Sequence, residues 1–456
     1  MPDGPLRGTS VALPPAGAAA DCARVLLRCL GADTGTADHE DGADGADDLG
    51  LAGHDAVTDW AASGAMALTG YADGPPSLIH AAPASLVRAA LALIGPKSSD
   101  ARVQLLGERA AAAGLQRRAP WSPGGAFRAI RTRDGWLGIS LARDSDVELV
   151  PALIGAPVDD PWTALAQWAE GETSAAVEQR AILLGLPAAR IPATPAMSRA
   201  PLVASRGGPR RSRAAIVLDL SSLWAGPLCA HLLSQRGARV IKVESSSRPD
   251  GARRGPAAFF DLLHAGHESV VLDFATPAGR DALRRLVGAA DLVIEASRPR
   301  ALMQLGLLAE DVVAQGTSWL SISGYGRDEP GASRVGFGDD VAAAAGLVCW
   351  QDGLPLPVGD AIADPLAGVV AAAAAHAALG SPDAWLLDVS MRDVAGLAAT
   401  TKPEPGNWTV VSTQTGWTLS DADRVIPVAE PTMSGAAPSA RPAGADTDAV
   451  LAEFGR

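Results

Sequence analysis

Apolar and polar positions change rhythm near residue 214. From there strand-like apolar runs alternate with helical stretches: AIVLDLSS precedes PLCAHLLSQRGA, which Gly237 closes, and ARVIKVES follows. SVVLDF, a helix over 277–289 and DLVIEAS continue the series, and a helix around 300–315 leads to WLSISGYG. Repeated βα units predict a parallel sheet with right-handed crossovers. The expected fold class is therefore α/β: an open parallel mononucleotide-binding, Rossmann-like sheet with a second, smaller α+β domain. Ligands on such sheets bind at the carboxyl ends of the strands. That rim comprises Ser221–Gly226, Glu244–Arg254, Ala296–Arg300 and Ser323–Arg327.

The first half lacks this alternation. Residues 55–95 predict two small-residue helices separated by the turn YADGPPS, and 160–186 reads as helical. GGAFRAIRTRDGWLGISLA (124–142) predicts a β-hairpin turning at Asp134-Gly135. Residues 31–50 are acidic and Gly-rich, which predicts a solvated loop. Their spacing lacks the closing glutamate of a calcium loop. Residues 197–214, with Pro, Gly and five arginines, predict a solvated connector. The expected organisation is an N-terminal segment (1–50), a first unit with a small α+β domain (51–200), a linker (201–213), a Rossmann-like domain (214–400) and a C-terminal tail packing back on it (401–456).

The 456 residues suffice for two or three domains, and 48% are hydrophobic, as in a globular protein. A net charge of -13 argues against a general nucleic-acid binder but leaves room for an anionic small ligand at local arginines. Cys22, Cys29, Cys229 and Cys349 lack CxxC spacing and are expected to be reduced, with the first two on one helix face. No leader pattern opens the chain, and the alanine run at 371–378 reads as a small-residue helix rather than a membrane span, so a cytoplasmic location is expected. His231 and His376 lie on apolar helix faces. His264 and His267 flank Gly266 without a third ligand, so no metal is expected. The GxSxG nucleophile elbow is absent.

The strongest chemical signal is VGDAIADPLAGVVAAAAAHAAL, near residue 360. It places Asp364 at the entrance of a long apolar helix, where an idle charge is costly to bury. Two readings of Asp364 remain open from the residues: an N-cap before Pro365, or a catalytic carboxylate. Asp360, four residues earlier, would share its helix face, and each carboxylate would raise the proton affinity of the other. LWAGPLCAHLL (223–233) offers free N–H groups at a helix start, and Arg248, Arg253 and Arg254 follow the second strand, where phosphates could be met.

LDLSSLWAGPLCAHLLSQRGARVIKVE (218–244) resembles the opening of the class III CoA-transferases, the CaiB/BaiF family. That family includes formyl-CoA and carnitine CoA-transferases and α-methylacyl-CoA racemases. FFDLLHAGHESVVLDF, DLVIEASRPRALMQLGL, LSISGYG, PVGDAIADPLAG and WLLDVSMRDVAG match later family blocks in order, and ARPAGADTDAVLAEFG resembles a family C-terminus. The resemblance implies a class III CoA-transferase-like fold with Asp364 as nucleophile, because Gly368 aligns with the family glycine four residues beyond it. It implies coenzyme A, delivered as acyl-CoA, near Trp224, Ala225, Gly226, Pro227, Arg248, Arg253, Arg254, His267, Arg298 and Arg300. Gly124 and Gly125 become the candidate oxyanion donors.

The first half resembles an eroded second copy that keeps a small domain but has Ala82 or Pro83 where the nucleophile belongs. Family members form interlocked dimers. A homodimer is therefore expected, or a monomer in which the two copies form a pseudo-dimer, with acyl-CoA and carboxylic acid substrates as partners and neither nucleic acid nor membrane. The chain also departs from the family. HAGHES replaces an NRGKRS-type segment, Gln304 replaces an arginine, and Gly336-Phe337-Gly338 replaces Gly-His-Asp. The alternatives are a racemase or isomerase, which would need His54 beside Asp364, and a non-catalytic CoA-binding homologue.

Overall fold

The computed structural model describes residues 3–36, 49–95, 102–211, 215–297, 299–435 and 438–454. Its centre is a seven-stranded sheet, whose parallel strands are Ile216–Asp219, Arg239–Ser245, Glu268–Leu272, Leu292–Glu295, Ser318–Ser323 and Asp383–Ser390. Taken in chain order, these six lie in the spatial order three, two, one, four, five, six. The strand order therefore reverses between Ile216–Asp219 and Leu292–Glu295, the topological switch point where open α/β sheets bind ligands. The expected fold class is the one observed.

The seventh strand corrects the expected linker. Leu202–Pro209 runs antiparallel to Asp383–Ser390 along the sheet edge. Its polar sequence is satisfied by partners distant in the chain. Arg206 pairs with Asp383, and Arg210, buried, pairs with Asp291 at 3.0 Å. Gly207 and Gly208 allow close approach to the Val313 and Ala314 carbonyls.

Other expectations shift locally. The helical stretch around 300–315 divides into Pro299–Gln304 and Ala309–Ala314, with Gly306 at φ +77 between them. The hairpin pairs Phe127–Thr132 with Gly135–Ser140, so its turn is Arg133-Asp134, one residue earlier than expected. Asp134 fixes it by accepting from Ser174 N–H. The acidic stretch opens as a strand, Asp33–Thr36, parallel to Ser10–Leu13 across the helix Ala18–Cys29. Residues 37–48 lie outside the described residues.

Three large buried clusters organise the described residues, one of them, with Leu218, Val270, Leu286 and Trp319, lying against the central sheet and the helix Pro277–Ala289. The small domain joins the hairpin and Ala188–Arg190 to the helices Pro161–Ala169 and Ser174–Leu184, around Ile130, Leu137, Leu153, Leu165 and Val177. The main core is shared by the chain's two halves: Leu26, Trp60, Leu86 and Leu91 belong to the same cluster as Leu228, Val370 and Leu397. The helix Pro83–Ile94 packs against both Ala18–Cys29 and Ala363–Gly380. Ala363–Gly380 is apolar and long enough to cross a membrane by composition, but 78% of it is buried within the protein. Gly368 lets it meet the helix Ala225–Ser234, because a Cβ there would lie 2.8 Å from the Ala225 carbonyl oxygen. That crossing brings the first turn of the long helix to the switch point.

Candidate active site

The chain enters the long helix through a constrained turn. Gly359 has φ +60 and Ala361 has φ +44, a region that costs a residue with a Cβ energy. Thr69 Oγ1 accepts from Gly359 N–H, and Asp339 Oδ1 accepts from Ala361 N–H, both at 2.9 Å. Between them Asp360 is fully enclosed. Arg109 holds it bidentately, Nε to Oδ2 at 2.8 Å and Nη2 to Oδ1 at 2.5 Å. Arg109 also lies over the Trp224 ring, 5.4 Å from its centroid.

Asp364 occupies the first helical turn, with its N–H donating to the Ala361 carbonyl at 2.9 Å. Burial, with Asp360 adding to it, pushes its carboxyl up to about 7, against the opposing pull of Arg109 and a hydrogen bond from Gly338 N–H. The residue keeps partial exposure, which suits a reactive carboxylate better than a sealed one.

Two more carboxylates complete the cluster. Burial and Asp360 raise Asp339 to about 8, opposed by Arg109 and Ser122. Burial raises Asp340 to about 7, although it accepts hydrogen bonds from Phe337 N–H and Ser140 Oγ. Asp360, Asp339 and Asp364 share the field of the one guanidinium, so burial works against their all being ionised together.

The oxyanion candidates divide. Gly125 N–H donates to the Ser122 carbonyl at 2.8 Å, so it is spent on its own turn. Gly124 is exposed beside the cluster, its Cβ position 3.4 Å from Arg109 Nη2 and 3.8 Å from Asp360 Oδ1.

The cofactor candidates also divide. Trp224, Ala225, Gly226 and Pro227 are buried, so they form a wall rather than an exposed anion cradle. Arg253 is consumed by Glu244 and lies over Phe260. Arg248 and Arg254 are exposed. His267 is 2% exposed, and burial followed by the Lys242 charge pushes it down to about 4. It packs in the core against His264, away from the exposed position expected of a residue near CoA. Arg298 and the Arg300 side chain lie outside the described residues. His54 is exposed, with the adjacent Asp55 capping the helix Ala56–Ala62.

Sequence reasoning missed Arg109, Asp339, Asp340 and the contact of Gly338 with Asp364. The acidic pair directly after Gly336-Phe337-Gly338 was a readable signal. Arg109 gave none, being 251 residues from its partner.

The doubly wound sheet thus carries a buried carboxylate cluster beside its switch point. Residues 214–396 match the family model described as CoA-transferase family III. The succinyl-CoA--D-citramalate CoA-transferase of Chloroflexus aurantiacus is 34% identical over 175 residues, covering 36% of this chain and 44% of that protein. The succinate--glutarate CoA-transferase of Agrobacterium fabrum is 32% identical over 200 residues, 39% of this chain and 50% of that protein. A probable fatty acyl-CoA transferase of Mycobacterium tuberculosis is 35% identical over 205 residues, 40% and 51% respectively. The chain thus spans about half the length of the curated relatives it matches. A CaiB/BaiF family structure from Brucella suis is 26% identical, with a TM-score of 0.40 over 47% of this chain and 66% of that one.

Proposed function

We propose that the protein is a CoA-transferase that moves CoA from an acyl-CoA thioester to a free carboxylic acid through a covalent intermediate on Asp364. The observation that carries this reading is the setting of Asp364. It is a partly exposed carboxylate pushed up to about 7 by burial against the pull of Arg109 and Gly338 N–H, within the family-matching segment and at the switch point.

An oxygen of Asp364 attacks the thioester carbon; the C–S bond breaks, and CoA leaves as thiolate with the bonding pair. The thiolate then attacks the Asp364 carbonyl carbon of the mixed anhydride, and the donor acid departs as carboxylate. The resulting aspartyl-CoA thioester is attacked by an acceptor carboxylate oxygen, releasing the thiolate again. Attack of the thiolate on the acceptor acyl carbon forms the product and returns Asp364 as carboxylate. Splitting one displacement into four lowers each barrier. Gly124 N–H and the Arg109 charge are the candidate stabilisers of the oxyanions.

Because Arg109 and Gly124 come from the first half of the chain and Asp364 from the second, one chain would supply what interlocked subunits share, in a monomeric pseudo-dimer. The free cysteines Cys22, Cys29, Cys229 and Cys349 suit the proposed cytoplasmic location. A racemase would need a base opposite Asp364; Gly336-Phe337-Gly338 provides none, and His54 is exposed.

The test is intact-mass spectrometry of wild type and Asp364→Asn after incubation with a panel of acyl-CoAs. A CoA-sized, hydroxylamine-labile adduct in the wild type alone supports the reading. No adduct with any donor, despite CoA binding, points to a non-catalytic CoA-binding homologue.

A further inference from the structure

Arg109 has more hydrogen-bonding capacity than its known partner uses. A guanidinium carries five N–H donors in a planar fork. Asp360 takes one from Nε and one from Nη2, and it is too enclosed to swing away. The opposite edge, Nη1 and the second Nη2 hydrogen, makes no hydrogen bond among the described residues. The side chain is 31% exposed, so this edge belongs to a partly open arginine rather than a sealed one.

Three neighbours hold the plane. Asp360 fixes the inner edge, the Trp224 ring supports the face, and Gly124 borders Nη2 without a side chain to cover it. The fixed fork lies close enough to Asp364 for the two charges to act on each other. A planar fork held in this way matches a carboxylate.

We infer that the outer edge of Arg109 docks the reacting carboxylate of the acceptor acid beside Asp364, with Asp360 as the fixed counter-ion that aims it. The inference rests on the transferase reading and names how its second substrate is recognised. It also orders the reaction. While Asp364 is a free carboxylate it shares the field of Arg109 with Asp360 and Asp339. Once Asp364 is a neutral thioester, that share of the positive charge is released to the incoming acid. The acceptor is therefore favoured after the donor acid has gone.

The test has a binding arm and a transfer arm. In Asp364→Asn protein with CoA present, acetate and succinate are titrated by calorimetry, and both are expected to bind. Arg109→Lys in that background keeps the charge but loses the fork, and should weaken both acids by at least about tenfold, the loss of one charge-assisted hydrogen bond. With Asp364 intact, adduct is formed first, at whatever rate Arg109→Lys allows, and the acid needed to discharge half of it should rise at least about tenfold.

Affinities unchanged in both arms overturn the inference. An effect on succinate alone also overturns it, because the fork would then hold a distal carboxylate. Should Arg109→Lys not fold, Gly124→Val places a side chain against Nη2 and is read the same way. If the wild type forms no adduct yet binds acids through Arg109, the transferase reading fails and the docking site stands.

Discussion

Replacing Gly338 by alanine tests whether the position of Asp364 governs the chemistry. An ideal Cβ there lies 2.2 Å from Asp364 Oδ2 and 2.2 Å from the Ala361 carbonyl oxygen. Carbon–oxygen contacts settle at about 3.3–3.6 Å, so one or both oxygens must retreat by roughly 1 Å. Neither is free to do so cheaply: Ala361 is held in its left-handed turn by Asp339, and its carbonyl accepts from Asp364 N–H. Overpacking of this kind costs about 1–3 kcal/mol. Gly338 lies in the first turn of the helix Gly338–Ala344, where alanine returns up to about 1 kcal/mol through helix propensity. A reacting group misplaced by 1 Å loses about 100-fold in rate. The expected outcome is thus a folded protein whose single-turnover adduct formation, followed by mass spectrometry, is about 100-fold slower. A rate within about threefold of wild type at an unchanged urea midpoint would refute the argument.

Other consequences are equally direct. Adduct formation needs Asp364 ionised, so its rate should rise with pH to a plateau above about 7, and Asp360→Asn, which removes a neighbouring like charge, should move that limb to lower pH. A pH–rate profile with an unmoved or oppositely moved limb counts against this electrostatic account. Asp339 has a folded-state proton affinity raised above its unfolded value of 3.8, so the stability it contributes is full below that value and is lost as pH rises towards about 8. Asp339→Asn keeps an acceptor for Ala361 N–H, and urea midpoints should show it gaining on wild type between pH 5 and pH 8, both chosen to bracket the titration; a constant difference would argue otherwise. Arg210→Ala strands the buried Asp291 and should cost about 3–5 kcal/mol in urea unfolding, whereas a loss under about 1 kcal/mol would return the edge strand to the role of a connector.

What was legible in the sequence follows from the range of the interactions involved. The parallel strands could be read because each is a continuous apolar run, punctuated by residues with local effects such as Pro277 at a helix start and Gly237 after a helix end. The edge strand Leu202–Pro209 could not, because its arginines and glycines look like a linker until Asp383, Asp291 and Val313 are brought against them. Asp364 stood out because a charge at the mouth of an apolar helix is conspicuous within a dozen residues. Arg109 stayed hidden, since only the tertiary fold sets it on Asp360. His267 was misread for the same reason. Its position in the chain matches a family basic residue, but the fold buries it against His264 and leaves it neutral.

The central claim is that Asp364 itself becomes the acyl and thioester carrier, and oxygen transfer tests it most directly. In the proposed sequence the oxygen joining acceptor to aspartate stays on Asp364 when the thiolate attacks the acceptor acyl carbon. After one turnover with an acceptor whose carboxylate carries oxygen-18, digestion and mass spectrometry should find the heavy isotope on the peptide containing Asp364. Repeated turnover with unlabelled acids should wash it out into the departing donor acid. Turnover with no label on that peptide, or with label at Asp360 or Asp339 instead, would contradict the account.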